Sequence, residues 1–489
     1  LSDFLAAAGV LVAAGASAAT ILLPPGRTRA AAMLVAVGLF PILILGDQWH
    51  THQIVDLRHD DTRIAELLAI GVVAVGALVF VFRRWPILMP LSIIAALPFR
   101  VPLHAGGDTA NLLVPLYLVI AGGVMAVVLR DWAAPPTGPA GRSTVWLPRI
   151  LAAVVLLYAL QTLYSGDFSK GLQNVCFFLV PFTVMYGLLR DLEWDRRLLK
   201  LVLCVVAVEA VAFVLIGSVE YLTRDLFWND QVIRSNEFHT YFRVNSVFWD
   251  PNVYGRYLAL VIVAAMAALL WVRERRELAL LTVLVAILWL GLAQTFSQSS
   301  FIALLAGLAV LAAIRWSWKW TLVAVAVGLV GAILVITLVG GSGKVSFSRL
   351  NIDTSGRANL VQGGIDLFGE RPIWGYGSGS FQHAYRDHRT NKDVPVSISH
   401  TEPVTVAAEQ GLLGLLLYVA LIAVALWTMS LGIRGPPALL AGRAAVLAAF
   451  VALLVHTMAY AGFFEDPITW VLLAVGASLA AVPAVRDSA

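Results

Sequence analysis

A histidine where a polar stretch enters a long apolar run, and a few arginines placed just outside other apolar runs, are the residues of this sequence best suited to chemistry. His400 lies in Ser399-His400-Thr401-Glu402-Pro403, with Glu409 and Gly411 following on the same incoming helix. An imidazole titrates near neutrality and can take a proton from a hydroxyl, although a loop histidine is often only solvated. Arg243 and Arg256 bracket Phe248-Trp249-Asp250-Pro251-Asn252, and Arg357 opens a second candidate helix. Guanidinium groups converging on the lip of a cavity bind phosphate in bidentate fashion and neutralise a departing pyrophosphate. The same arginines could instead snorkel to lipid headgroups.

Those residues need a scaffold, and composition says what kind. The chain has 489 residues, 60% hydrophobic and 13% charged, with mean hydropathy +0.83. Too little polar surface is available to cover a water-soluble body, so a bilayer is the solvent. Apolar runs of about 17 to 25 residues recur from end to end. An all-α, polytopic integral membrane protein with about 12 to 15 transmembrane helices is expected. The run at 86–99 is short and holds Pro90 and Pro98, which marks it as a re-entrant candidate. The first apolar run begins almost at Leu1 without a basic n-region, so it reads as a span and not as a cleavable signal peptide. Cys176 and Cys204 both fall in apolar runs, which argues against a disulfide framework. Four regions follow: N-terminal helices at 1–219, central helices with a first long loop at 220–340, a large loop at 341–402, and C-terminal helices at 403–489.

Orientation follows from the basic residues. Arg27/Arg29, Arg83/Arg84, Arg130/Arg142/Arg149, Arg190/Arg196/Arg197/Lys200, Arg273/Arg275/Arg276, Arg315/Lys319 and Arg434/Arg443 fall on alternate connections, which identifies those as cytoplasmic. The long loops at 220–252 and 341–402, with His400 and the site arginines, then face outward. Short clusters between apolar runs are topology signals and no nucleic-acid footprint. Within the second loop, Val361, Ile365 and Phe368 share one helical face, the pattern of an interfacial helix. Gly375-Tyr376-Gly377-Ser378-Gly379 follows no strand and lacks a P-loop lysine, so it reads as a tight turn. His50, His52, His59, Asp60 and Asp61 match no strong metal pattern. Glu209, mid-span, must be either functional or bonded to another span. Trp316, Trp318 and Trp320 beside Arg315 and Lys319 form an interfacial belt.

The order of these segments carries a resemblance. Arg243 with Phe248-Trp249-Asp250-Pro251-Asn252, then Thr295-Phe296-Ser297-Gln298-Ser299-Ser300, then Ser355-Gly356-Arg357, then Arg371-Pro372-Ile373-Trp374-Gly375-Tyr376-Gly377, then His400 with Glu409-Gln410-Gly411, resembles the O-antigen ligase and O-antigen polymerase family. The likeness runs from about 240 to 485 and is most specific over 355–414. It implies an inverting, GT-C type membrane glycosyltransferase of the bacterial cytoplasmic membrane, with its site facing the periplasm. The donor would be a glycan on an undecaprenyl-pyrophosphate carrier, and the acceptor a hydroxyl of a glycan, glycolipid or other molecule. Neither metal, nucleotide nor other cofactor is implied. Carried over by position, His400 is the general base, Arg243 and Arg357 hold the pyrophosphate with help from Arg256, and Asn252, Gln298 and Glu409 support them. Two positions depart from the family pattern: Gln298 follows Ser297 where arginine is common, and Thr401 follows His400 where asparagine is usual. The chemistry is coherent, since a sugar pyrophosphate has a good leaving group and needs only acceptor positioning, a base and charge neutralisation. A secondary transporter or lipid-linked glycan flippase is the other reading, suggested by the many spans and Glu209; the absence of an inverted repeat and the one-sided polarity weigh against it.

Overall fold

The computed structural model describes residues 3–49, 51, 55, 59–105, 108–133, 146–227, 229–238, 241–327, 357–388, 398–433 and 437–481. His50, His52, Ser355 and Gly356 lie outside the described residues. The helices are α1 (Asp3–Leu22), α2 (Arg27–Asp47), α3 (Asp61–Arg84), α4 (Leu88–Ala96), α5 (Val114–Ala133), α6 (Trp146–Thr162), α7 (Phe168–Asn174), α8 (Val180–Arg190), α9 (Arg196–Thr223), α10 (Asp230–Phe238) and α11 (Pro251–Trp271). They continue as α12 (Arg275–Thr295), α13 (Gln298–Arg315), α14 (Trp318–Val327), α15 (Arg357–Glu370), α16 (Phe381–Asp387), α17 (Glu402–Ile433), α18 (Leu440–Thr457) and α19 (Pro467–Ala481). A π-helical turn, Val175–Leu179, joins α7 to α8.

Among the described residues, eleven helices are long and apolar enough to cross a membrane, which makes this an all-α polytopic membrane protein. The run at 86–99, marked as a re-entrant candidate, forms only α4, nine residues long, which at about 1.5 Å per residue falls well short of a bilayer. After it, Val101–Ala105 (β1) and Asp108–Leu112 (β2) pair as an antiparallel hairpin that hydropathy did not signal.

Aspartates set several helix starts by accepting an orphan backbone N–H: Asp60 from Arg63, Asp167 from Lys170, Asp195 from Leu198, and Asp250 from Asn252 with Pro251 at the first helical position. Two apolar clusters form the core. One draws on α1, α2, α5, α6, α8 and α19, the other on α9, α11, α12 and α13. Helix α18 is the seam, giving Val446 and Phe450 to the first and Ala444, Ala448 and Ala452 to the second. Helix α11 packs on α12, α13 and α18 and is buried along most of its length, whereas α3 packs mainly on α5 and leaves its apolar surface outside.

The two ends of the bundle differ. At one, Arg29 pairs with Asp191, Lys200 with Glu277, and Arg443 donates to the Leu479 carbonyl. The other end collects the C-termini of α9, α12 and α18 and the N-termini of α11, α13 and α17, and there His400, Arg243 and Arg357 lie.

Helix α15 forms where its amphipathic pattern placed it. It buries Gly364 and Leu367, however, against Phe381 and Val404, while Ile365 of the expected apolar face is half exposed. Val361 and Phe368 are partly buried, so of that face Ile365 alone is exposed.

Helix α17 is broken at Gly411, whose φ of 65° and ψ of −162° are not helical. The chain at 372–377 fills the break: Leu412 donates to the Pro372 carbonyl at 2.7 Å, Tyr376 to Ala408 at 3.1 Å, and Gly377 to Glu409 at 2.8 Å. Non-helical backbone inside a membrane protein survives where such partners re-satisfy it. A Cβ on Gly411 would lie 2.3 Å from the Ile373 carbonyl oxygen. Gly411→Ala is expected to destabilise the protein by ~2 kcal/mol or more, through left-handed strain and collision. Gly369→Ala, where a Cβ meets nothing within 4 Å, should stay within about 0.5 kcal/mol; thermal unfolding in detergent compares the two.

Candidate functional site

Arg243 is fixed from both sides of its backbone. Its N–H donates to the Asn236 side chain at 3.0 Å, and that side chain donates back to the Arg243 carbonyl at 3.0 Å. Val244 donates to the Gln294 carbonyl, and the Glu220 carboxylate accepts from Asn245 and Ser246. The guanidinium then has little freedom. Its Nε donates to the Thr295 carbonyl at 3.0 Å, an orphan acceptor at the C-terminus of α12, and its Nη2 to Asn252 Oδ1 at 3.1 Å.

His400 sits one step outside α17, with a left-handed φ of 60°. Such a backbone persists when neighbours over-determine it. Ser399, fully buried, bonds Thr405 Oγ1 at 2.7 Å and the Thr401 carbonyl at 2.8 Å. Thr401 donates to the Met458 carbonyl at 3.0 Å. The half-buried imidazole faces the Tyr460 ring, with centroids 6.1 Å apart.

The turn between α18 and α19 is the platform on which these elements meet. It receives Thr401 at Met458, the Arg357 guanidinium at the Ala459 carbonyl (3.3 Å), and the Glu402 carboxylate at the N–H groups of Gly462 and Phe463 (2.7 and 3.1 Å). At its end Asp466 pairs with Arg256 at 2.9 Å, both side chains buried. Tyr460, on the same turn, is central: its ring also lies 5.9 Å from that of His456 and 6.0 Å from the Arg256 guanidinium carbon.

The structure thus brings together His400, Arg357, Arg243, Asn252 and Arg256, with Arg256 committed to Asp466. Gln298 opens α13 next to Ser297 and points outward, exposed. Glu409 is elsewhere. Its two oxygens accept from Gly379 at 2.8 Å and Phe381 at 3.1 Å, which holds the Gly-Tyr-Gly-Ser-Gly turn against α17. The three glycines of that turn have φ of 68°, 97° and 79°, and a Cβ on Gly375 would strike the Glu409 carbonyl. Beside it, a small, partly open cavity of about 60 Å³ is lined by Tyr158, Lys170, Asn174, Glu402, Glu409 and Glu465 among others. A smaller one of about 20 Å³ reaches Arg100, Arg256 and Asp466. Among the described residues, no cluster of three or more His, Cys, Asp or Glu is arranged for a metal ion. Glu209 accepts from Tyr257 at 3.0 Å, so the mid-span carboxyl is bonded to a neighbouring helix.

Sequence reasoning missed Tyr460, Asp466 and the hydrogen-bonded use of Ser297, Ser299 and Ser300. Asp466-Pro467 repeats the Asp250-Pro251 signal of a helix start, but nothing in the sequence pairs it with Arg256.

Electrostatics at the site favour a neutral imidazole. Burial, and then the Arg357 guanidinium, lower the pKa of His400 below its ordinary 6.5, while Asp250 pulls it up. Burial also lowers that of Arg243, which Asp250 opposes.

Residues 283–419 match the family model described as O-antigen ligase. No curated protein matches the chain. The match covers Ser297, Arg357, His400 and Glu409, and leaves Arg243, Asn252, Arg256 and the 458–466 turn to the geometry.

The sign of the His400 shift can be tested by substitution. Arg357→Gln removes a cation and should raise the His400 pKa; Asp250→Asn removes an anion, keeps the helix cap, and should lower it. NMR titration of labelled histidine reads both, and shifts in the opposite sense would show that the three side chains do not share a site.

Proposed function

We propose, from the match of residues 283–419 to the O-antigen ligase family model and the arrangement of the site, that the protein moves a glycan from an undecaprenyl-pyrophosphate carrier to an acceptor hydroxyl, with inversion, at the outer face of a bacterial cytoplasmic membrane. The observation that carries this reading is the grouping of His400, Arg357 and Arg243 at one end of the bundle. The lowered pKa keeps the imidazole unprotonated at neutral pH, the form that can take the acceptor proton. As the hydroxyl oxygen attacks the anomeric carbon, the bond to the carrier pyrophosphate breaks and its charge grows on the departing oxygen. Arg243 and Arg357 are already held by carbonyls at helix ends, so they meet that charge with little reorganisation. Arg256, its charge offset by Asp466, assists by keeping α11 on the platform.

The outer-face assignment draws on the basic clusters gathered at the opposite end of the helices. Glu209, the residue that most suggested a transporter, is satisfied by Tyr257.

Purified protein incubated in detergent with labelled lipid-linked glycan and candidate acceptors should yield a joined product by mass, with no membrane gradient. His400→Ala should lower turnover by about 10²- to 10⁴-fold while the protein still folds and binds carrier. Arg243→Ala and Arg357→Ala should each cost about 10²-fold or more. Turnover retained in His400→Ala removes the assigned base, and no product under any condition removes the transferase.

A further inference from the structure

His456, fully buried near the end of α18, takes no part in the mechanism above, yet a hydrogen-bonded chain joins it to Arg243. Arg243 Nη2 donates to Asn252 Oδ1 at 3.1 Å, and Ser297 Oγ donates to the same oxygen at 2.9 Å. Ser297 Oγ also contacts Ser300 Oγ at 2.8 Å and Ser299 Oγ at 3.2 Å. Both of these hydroxyls reach His456 Nε2, at 3.3 and 3.2 Å. Beyond the half-buried Arg243, every residue in the chain is buried, with Ser300 and His456 at 0% exposure. A wrong proton in it leaves an unsatisfied polar group with no water to rescue it.

Counting protons from the arginine fixes their direction. Arginine has donors only, so the Asn252 side chain must offer it the carbonyl oxygen. Ser297 has a single proton and spends it on that oxygen, so it accepts from Ser299, while Ser300 donates either to Ser297 or to the Asn252 backbone carbonyl at 3.4 Å. Those hydroxyls have then spent theirs and must accept from His456, which therefore carries hydrogen on Nε2. The backbone carbonyl of Asn252, which can only accept, also lies near the ring. Nδ1 has no hydrogen-bond partner among the described residues, as suits a bare acceptor and not an N–H.

We propose that His456 is a positioning residue: its Nε2–H orients the Ser299/Ser300 pair, which orients Ser297 and Asn252, and so holds the Arg243 guanidinium for the pyrophosphate. This rests on the reading of Arg243 as a pyrophosphate ligand. The alternative is a core histidine that merely fills space between α13 and α18. Space-filling needs shape alone, whereas the proposal needs one N–H donor.

The test measures affinity of the full chain in detergent for inorganic pyrophosphate. Arg243→Ala should weaken binding. His456→Met, of similar volume with no donor, should weaken it about tenfold. His456→Gln, which keeps an N–H at the reach of Nε2, should stay within about threefold of the unsubstituted protein. Weak binding by Arg243→Ala with unchanged binding by His456→Met overturns the proposal. Unchanged binding by Arg243→Ala overturns the pyrophosphate reading instead, and the proposal with it. A second measurement stands apart from binding and from any folding defect in His456→Met: the ¹⁵N spectrum of histidine-labelled protein, with His456→Gln as the assignment control. A neutral ring protonated at Nε2 supports the proposed chain. A ring protonated at Nδ1, or at both nitrogens at neutral pH, reverses the hydrogen-bond order and overturns it.

Discussion

A guanidinium taken out of water must find oxygens, and the site end of this protein is organised around that need. Unpaired, a buried cation costs several kcal/mol. The fold supplies acceptors that helices leave over: the Thr295 carbonyl at the end of α12 for Arg243, and the Ala459 carbonyl just past α18 for Arg357. Only Arg256, the most buried of the three, has a carboxylate, and Asp466 comes from the same turn that receives Arg357. Backbone carbonyls solvate a cation without cancelling its charge. Arg243 and Arg357 therefore keep a positive potential that a carboxylate partner would have quenched.

That economy depends on the 458–466 turn and the entry to α17 staying where they are. Glu402 ties one to the other by accepting from Gly462 and Phe463, and Thr401 repeats the link at Met458. Lower in α17, the break at Gly411 lets the 371–381 segment dock its backbone into the helix, with Glu409 gripping Gly379 and Phe381. Since the same segment continues from α15, whose first residue is Arg357, the break indirectly sets where that arginine lies. Glu402 and Glu409 both fasten loops to a helix.

Much of the scaffold was legible because hydropathy and charge are read at helix length: the spans, the basic end, and the isolation of His400 and the arginines at the other. The short α4 was legible too, because Pro90 and Pro98 mark a run unlike a full span, and Leu88–Ala96 stops after nine residues at Leu97-Pro98. The amphipathic pattern of α15 located the helix and left Ile365 to the outside, but it did not say that Gly364 and Leu367 pack inward. Tyr460, Asp466 and His456 were out of reach. Their roles come from contacts between segments far apart in sequence, as with Arg256 to Asp466 and Ser299 to His456, and no local pattern encodes such a pairing.

The charges of the site are in conflict, with a consequence for catalysis. Arg243 and Arg357 are close enough to oppose each other's charge, and Arg357 opposes protonation of His400. An imidazole whose pKa is lowered is neutral and available, but it is also a weaker base. On the proposed reading, a pyrophosphate placed between the arginines offsets both effects. It relieves the repulsion, which favours binding, and it cancels the positive potential at His400, which raises that pKa towards its ordinary value. The base would then gain strength only when the donor is in place, and by linkage a protonated His400 would hold the anion more tightly. Titration of His400 with and without inorganic pyrophosphate reads that coupling: an unchanged pKa would mean that anion and imidazole do not share the site.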